Sequence, residues 1–364
     1  MGAVLIIFLV ICSNSYSYAS KDNINNKEEL IAVVVIYRHG DRAPLTSFPN
    51  DHYYNLTYWP MGFGELTKQG IQRQYKLGQW FRQRYDNFLQ KIYSPREIIV
   101  ESTEKDRALM SASATLAGLY PPIDFQLWNT QLKWQPIPIH IGYETKIMDL
   151  PCAKYDKLNK EIIELIDKDM KKKYSNIYKY IEDNSGWTNM SVKTVSTLRS
   201  VMYAYKNYNL SFIPEWVLKM NHSALDEIAG IKYSIATATP TTARLKVGTF
   251  YDHIFNYLDK FTNPTLAKTT PKFLMMASHD TTIASILNGM ELYEKRPVGF
   301  GDTFIMELKK KKEVFFLNLF YKSEYDLEKL IFRDCEFNCL YSTLKIKLKH
   351  VTIYKNTREK ECFL

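Results

Sequence analysis

Arg38, His39 and Arg42 lie together in "VVVIYRHGDRAP" (33–44), and His279 and Asp280 stand side by side in "SHDTT" (278–282). Two guanidiniums offer forked donors to a tetrahedral oxyanion. An imidazole between them attacks phosphorus only when neutral, and the arginines help keep it neutral by disfavouring imidazolium. His279 can donate to a phosphoryl oxygen, and Asp280 is the nearby group able to protonate a leaving oxygen. Gly40 is expected to let the backbone approach a ligand, and Pro44 to limit how the chain leaves. Two plainer readings compete. In one, Asp41 pairs with Arg42 in an exposed turn; in the other, Asp280 merely caps a helix, as the Thr281 and Thr282 hydroxyls also could.

The elements that must carry these groups are legible nearby. The unalternating run "IAVVVIY" (31–37) reads as a strand covered on both faces. Ile71, Tyr75, Gly78, Phe81 and Tyr85 recur at helical spacing, which predicts a helix with that stripe buried. "EIIVES" (97–102) predicts a second strand, and 106–120 a helix stopped by Pro121 and Pro122. Residues 143–235 read mainly as Lys-faced helices, a cap inserted into an α/β domain formed by 27–142 and 236–364. Leu245, Phe250, Ile254 and Leu258 mark another helix, 273–282 repeats the pattern of an apolar strand ending in polar groups, and "TFIMEL" with "VFFLNLF" predicts a hairpin. The fold class expected is α/β, a doubly wound mixed sheet flanked by helices, with ligands beyond the carboxyl ends of its strands.

With 364 residues, of which 46% are hydrophobic, the chain is long enough for a well-filled core. "VLIIFLVI" and "SYAS" give residues 1–19 the shape of a secretory signal, and no other stretch approaches a membrane span. Asn55, Asn189, Asn209 and Asn221 head glycosylation sequons. Beyond Cys12, in the signal, four cysteines remain (Cys152, Cys335, Cys339, Cys362), and they can pair in three ways. Signal, sequons and the even cysteine set agree on an oxidising, extracellular compartment, with the lysosomal lumen as the other destination. The net charge of +9 is spread among scattered lysines, with short runs only at 171–173 and 309–312, so nucleic acid is not an expected partner. No His/Cys/Asp spacing suggests a metal site. His52, His222 and His350 read as surface residues, His253 as part of the amphipathic helix, and His140 as structural or interfacial.

From about Ile31 to Cys362 the chain resembles the histidine acid phosphatases, in the branch of prostatic, lysosomal and insect venom acid phosphatases. The resemblance rests on "YRHGDRAP", "PMGFGELTKQG", "EKDRALMSA", "LYPP", "WQPIPIH", "SHDTT" and "CEFNC", all in the same order. It implies a phosphoglycerate-mutase-like fold, His39 as nucleophile, Arg38, Arg42, Arg107 and His279 as the phosphate clamp, and Asp280 as proton donor, without metal or cofactor. It further implies Cys152–Cys362 and Cys335–Cys339 disulfides, and a homodimer with Trp134 and His140 at the matching position. Glu101 departs from the arginine that relatives often carry, and one disulfide of the mammalian enzymes has no counterpart here.

The function expected is a secreted acid phosphatase, a phosphoric monoester hydrolase of broad specificity on small-molecule or phosphoprotein esters. The alternatives are a specialised phosphatase, such as a phytase or lysophosphatidate phosphatase, and a non-catalytic secreted protein that binds phosphate or a host partner.

Overall fold

The computed structural model describes residues 28–143, 148–208 and 213–363. The expected signal segment and the Asn209 sequon lie outside them. The chain runs β1 (Glu29–Arg38), α1 (Lys68–Arg84), β2 (Ile98–Ser102), α2 (Asp106–Leu119) and β3 (His140–Ile141). It continues with α3 (Ala153–Lys173), α4 (Ser175–Ser185), α5 (Val192–Tyr208), α6 (Glu215–Leu218), α7 (His222–Ser234), α8 (Pro240–Asp259) and α9 (Pro264–Ala267). After these come β4 (Phe273–Ser278), α10 (Asp280–Gly289), β5 (Thr303–Lys311), β6 (Val314–Lys322), β7 (Leu327–Leu330), β8 (Cys339–Leu340), α11 (Tyr341–Leu348) and α12 (Lys355–Phe363).

The strands form one mixed sheet in the order β3-β2-β4-β1-β5-β6-β7, with β8 on β6. β3, β2, β4 and β1 are mutually parallel, while β5 pairs antiparallel with β1 and β6 with β5, the latter two forming the hairpin read from the sequence. Helices cover both faces, and β1 shows why its sequence lacks alternation. Ala32, Val34 and Ile36 enter a core shared with α8, α10 and α11, whereas Val33, Val35 and Tyr37 enter a second core under α1 and α2. Both faces of the strand are dry, so both must be apolar.

The stripe expected on α1 holds at Gly78, Phe81 and Tyr85 and is corrected at its first two positions. Gly70, Gln74, Leu77, Gly78 and Phe81 are the buried positions, whereas Ile71 and Tyr75 are exposed. Gln74 was not among the positions picked from the sequence. It turns inward because its amide finds partners in the core: Nε2 donates to the Arg38 carbonyl at 3.0 Å, and Oε1 accepts from Thr115 Oγ1 at 3.0 Å.

Helices α3 to α7 build a third core, to which the loop after β1 contributes Ala43, Phe48 and Trp59. Cys152 at the start of α3 is bonded to Cys362 in α12, and Cys335 to Cys339. No helix among the described residues is long and apolar enough to cross a membrane.

The Cys152–Cys362 bond closes a span of 210 residues. By chain entropy such closure contributes on the order of 5 kcal/mol. Urea unfolding of Cys152→Ser under oxidising conditions is expected to show a loss of several kcal/mol, with the α/β core still folded by circular dichroism.

Candidate active site

The site lies where β2, β4 and β1 end side by side. Arg38 is paired in register with Ser278, and Ser102 with Ala277, so His39 and His279 leave the sheet at one level and Thr103 one residue behind them. The His39 amide donates to the Ser278 carbonyl at 3.0 Å, and the two imidazoles meet edge to face with centroids 5.4 Å apart.

The turn after His39 is held by α1. Thr67 caps that helix, accepting from the Gly70 amide at 3.1 Å while donating to the Asp41 carbonyl at 3.1 Å. The expectation for Gly40 is corrected here: a Cβ on it would strike the Gly70 carbonyl, so the close approach it permits is to α1 rather than to a ligand. Asp41 does not pair with Arg42. Its carboxylate takes Arg73 Nε at 2.6 Å and the Asn207 amide, which leaves Arg42 free to face the cleft.

His39 is 2% exposed. Its Nδ1 faces the Gly40 carbonyl at 2.8 Å, an acceptor only, so Nδ1 carries the proton. Nε2 is then the lone-pair nitrogen, and Arg107 Nε donates to it at 3.2 Å. Burial, then the Arg38 and Arg42 charges and His279, hold the imidazole well below its ordinary basicity. His279 is pushed down to about 4 by burial and Arg107, against the opposing pull of Asp280, and its Nε2 meets the Thr103 hydroxyl at 2.9 Å. Burial and Arg38 push the Arg42 guanidinium down to about 10, which leaves it charged at acid and neutral pH.

Arg38 is fixed on three sides. Nη1 donates to the Val298 carbonyl at 2.7 Å, Nη2 meets Asp280 Oδ2 at 2.8 Å, and the guanidinium lies 3.9 Å from the Phe300 ring centroid. Arg38 Nε and Arg42 Nε are buried donors with no protein acceptor. Asp280 is the first residue of α10 and His279 its N-cap, so the capping expected of Thr281 and Thr282 is not what begins this helix. Asp280 Oδ1 accepts the Thr281 amide at 2.8 Å, and Oδ2 also accepts from Tyr233 Oη at 3.0 Å. Burial would raise this carboxyl, but Arg38, Lys232, His39 and Arg42 outweigh it and hold Asp280 ionised, far below the usual carboxylate range.

The six residues picked from sequence thus converge, five of them on a cleft of about 660 Å³ and Arg38 behind it. Glu101 is elsewhere, its Oε2 accepting the Tyr143 amide at 3.2 Å. His253, stacked on Tyr143 with centroids 4.1 Å apart, also lies away from the cleft, as do His140, His52, His222 and His350. Sequence reasoning missed Thr103, Lys232, Tyr233 and Phe300. Thr103 was findable, since it follows the tip of β2 as His279 follows β4. Lys232 and Tyr233 come from α7, and nothing in their local sequence marks them as site residues.

Adjacent parallel strands that present two histidines among buried arginines define a histidine phosphatase. The chain belongs to the histidine phosphatase superfamily (branch 2), whose family model matches residues 29–300. Prostatic acid phosphatase of Bos taurus is 30% identical over 86% of this chain and 82% of its own length. Lysosomal acid phosphatase of Rattus norvegicus is 32% identical over 76% of this chain and 66% of that protein. Among solved structures, the apo phytase of Hafnia alvei shares the fold with a TM-score of 0.69 at 15% identity, covering 92% of this chain and 98% of that one.

If burial and the arginines hold His39 neutral, its ring-proton NMR resonances are expected not to titrate between about pH 5 and 8. The shift would be measured against the same spectrum of His39→Asn to assign it.

Proposed function

We propose that this chain is an acid phosphatase that hydrolyses phosphate monoesters through a phosphohistidine at His39. The observation that carries the reading is the state of that imidazole. An enzyme working below pH 6.5 with a histidine nucleophile needs a histidine that stays unprotonated there, and His39 is depressed by burial and two arginines with Nε2 facing the cleft. The similarity to prostatic and lysosomal acid phosphatases supports the same reaction class.

In the first step the Nε2 lone pair forms the N–P bond as the P–O bond to the alcohol breaks, and Asp280 gives the leaving oxygen its proton. In the second, water attacks phosphorus, its proton passes to the Asp280 carboxylate, and the N–P electrons return to Nε2. Arg38, Arg42, Arg107 and His279 stabilise charge on the phosphoryl oxygens.

Asp280 must acquire a proton that the ligand-free site strongly disfavours. A phosphate monoester has its second ionisation near pH 6, so at acid pH the substrate enters as a monoanion carrying that proton. Its oxygens also partly neutralise the arginines that keep Asp280 ionised. Acid activity therefore follows from proton supply by the substrate as much as from the protein.

The division into a catalytic domain (27–142 and 236–364) and a cap (143–235), secretion after removal of 1–19, and glycosylation at Asn55, Asn189, Asn209 and Asn221 belong to the same proposal. Asn189 and Asn221 are exposed, which supports their use as acceptors. Exposed Phe125, Trp128 and Trp134 support a homodimer through that face. Venom, extracellular fluid and lysosome are all compatible destinations.

His39→Ala is expected to abolish turnover and to yield no acid-labile, base-stable phosphoenzyme by rapid quench; label retained in that variant would place the nucleophile elsewhere. Asp280→Ala is expected to slow phosphorylation by about 10² to 10⁴ on an alkyl phosphate and far less on a nitrophenyl phosphate. Tyr233→Phe removes a donor that favours the ionised Asp280, so the acid form should persist to higher pH. The alkaline limb of kcat should move up by about one pH unit, the size of a hydrogen bond to a charged group. An unmoved limb would mean that Asp280 does not set it.

A further inference from the structure

One face of α1 borders a groove of about 660 Å³ that shares no residue with the active-site cleft. Lys68, Gln72, Lys76 and Trp80 follow one another along it at intervals of four, a single helix stripe about 18 Å long. Lys322, the last residue of β6, and Phe300 and Gly301, from the loop before β5, help to complete the lining. Leu77 and Phe300 are buried and Trp80 half-buried, so the groove pairs an apolar bed with cations.

Glu324 is the one acid of this lining, and Arg73 takes it at 2.8 Å. Among the described residues, Lys68, Lys76 and Lys322 have no carboxylate within ion-pair distance. Lys68 is the first residue of α1, whose first turn holds no acid, so its charge adds to the positive end of the helix instead of offsetting it. Lys322 is half-buried, its ammonium 5.1 Å from the Trp80 ring centroid and donating to the Ser323 carbonyl at 2.9 Å. Burial lowers its proton affinity. A neutral hydrocarbon in this groove would desolvate the ammoniums without pairing them, and a bare inorganic ion would leave the aromatic bed uncovered. A space of this size suits a small organic molecule.

We infer that the α1 groove is a second ligand site, for an amphipathic organic anion whose flat apolar body covers Leu77, Trp80 and Phe300 while carboxylate or sulfonate groups meet the lysines, and that its occupant bears on Arg38. The link is Phe300. The ring that lines the groove also lies 3.9 Å from the Arg38 guanidinium and 5.8 Å from the His39 ring, centroid to centroid. Arg73 supplies a second link, since it holds Glu324 in the groove and Asp41 in the turn after His39. Binding in the groove stands apart from the phosphatase reading; the effect on phosphate held by Arg38 rests on it.

The probe is naphthalene disulfonate, titrated by calorimetry at a series of inorganic phosphate concentrations. The proteins are wild type, the double variant Lys76→Gln/Lys322→Gln, Trp80→Ala and, as a charge control, Lys171→Gln on the exposed side of α3. The lysine pair and Trp80→Ala are each expected to raise the probe's Kd about tenfold or more, the range of charge-assisted and aromatic contacts, and Lys171→Gln to leave it unchanged. No binding to wild type at millimolar probe, or an equal Kd in wild type and the lysine pair, overturns the site. Should Trp80→Ala fail to fold, the lysine pair alone decides. A Glu-rich hexapeptide that binds more tightly than the probe would make the groove a protein-docking surface, which also overturns the assignment. Raising phosphate should shift the probe's Kd about fivefold or more and then leave it level, the mark of two coupled sites. A Kd that climbs in proportion to phosphate puts the probe in the phosphate clamp, and one that phosphate never moves removes the link through Phe300; either result overturns the inference. If phosphate itself gives no heat of binding, the phosphatase reading fails by that measure, and the variants still decide the groove.

Discussion

The site depends on one backbone pairing, the parallel register of β1 on β4. Because Arg38 lies opposite Ser278, the residues that follow them emerge together, and two histidines 240 positions apart become ring neighbours. A slip of one residue would turn every β1 side chain to the other face, sending Val33 and Val35 into the wrong core. The apolar packing on both sides of the sheet therefore fixes the alignment of the chemical groups at its edge. Gln74 and Thr115 add a polar lock from α1 and α2 to the same strand end.

What that alignment creates is an excess of buried positive charge. Arg38 and Arg42 lie side by side with Asp280 as the nearest acid, and each keeps an unmatched buried Nε–H. The protein holds this arrangement with supports that are not themselves charged: the Val298 carbonyl, the Phe300 face and the Gly40–Gly70 contact. Asp302 shapes the loop that delivers Val298 and Phe300, accepting from the Gly299 amide and Tyr321 Oη at 2.7 Å each. The uncompensated donors make the site poor in free energy when empty and suited to a tetrahedral oxyanion when filled.

Most of the sheet and five of the six central residues were legible because both follow local rules, whereas Arg107 came from the family resemblance. Strands buried on two faces are continuous apolar runs, and strand tips are where polar residues interrupt them. Gln74 was missed because its burial is decided by partners on β1 and α2 rather than by its own type. Gly40 was assigned to the ligand for want of any view of α1. Tyr233 and Lys232 were missed for a deeper reason: they act on Asp280 from a helix 47 residues earlier in the chain, and only the packing of α7 on α10 brings them there. The disulfide pairing came from resemblance, since four cysteines alone leave three choices.

The third core has a consequence for how this architecture varies. Its apolar interior is sewn from two pieces of chain, the helical segment and the loop that follows β1, through Ala43, Phe48 and Trp59. That helical segment is therefore not a cassette. Replacing residues 143–235 with a foreign insert would strip the cover from Phe48 and Trp59 and loosen the loop that begins at Arg42. Specificity in such a protein is free to change residue by residue along the cleft wall, while wholesale exchange of that wall would disturb the turn after His39 itself.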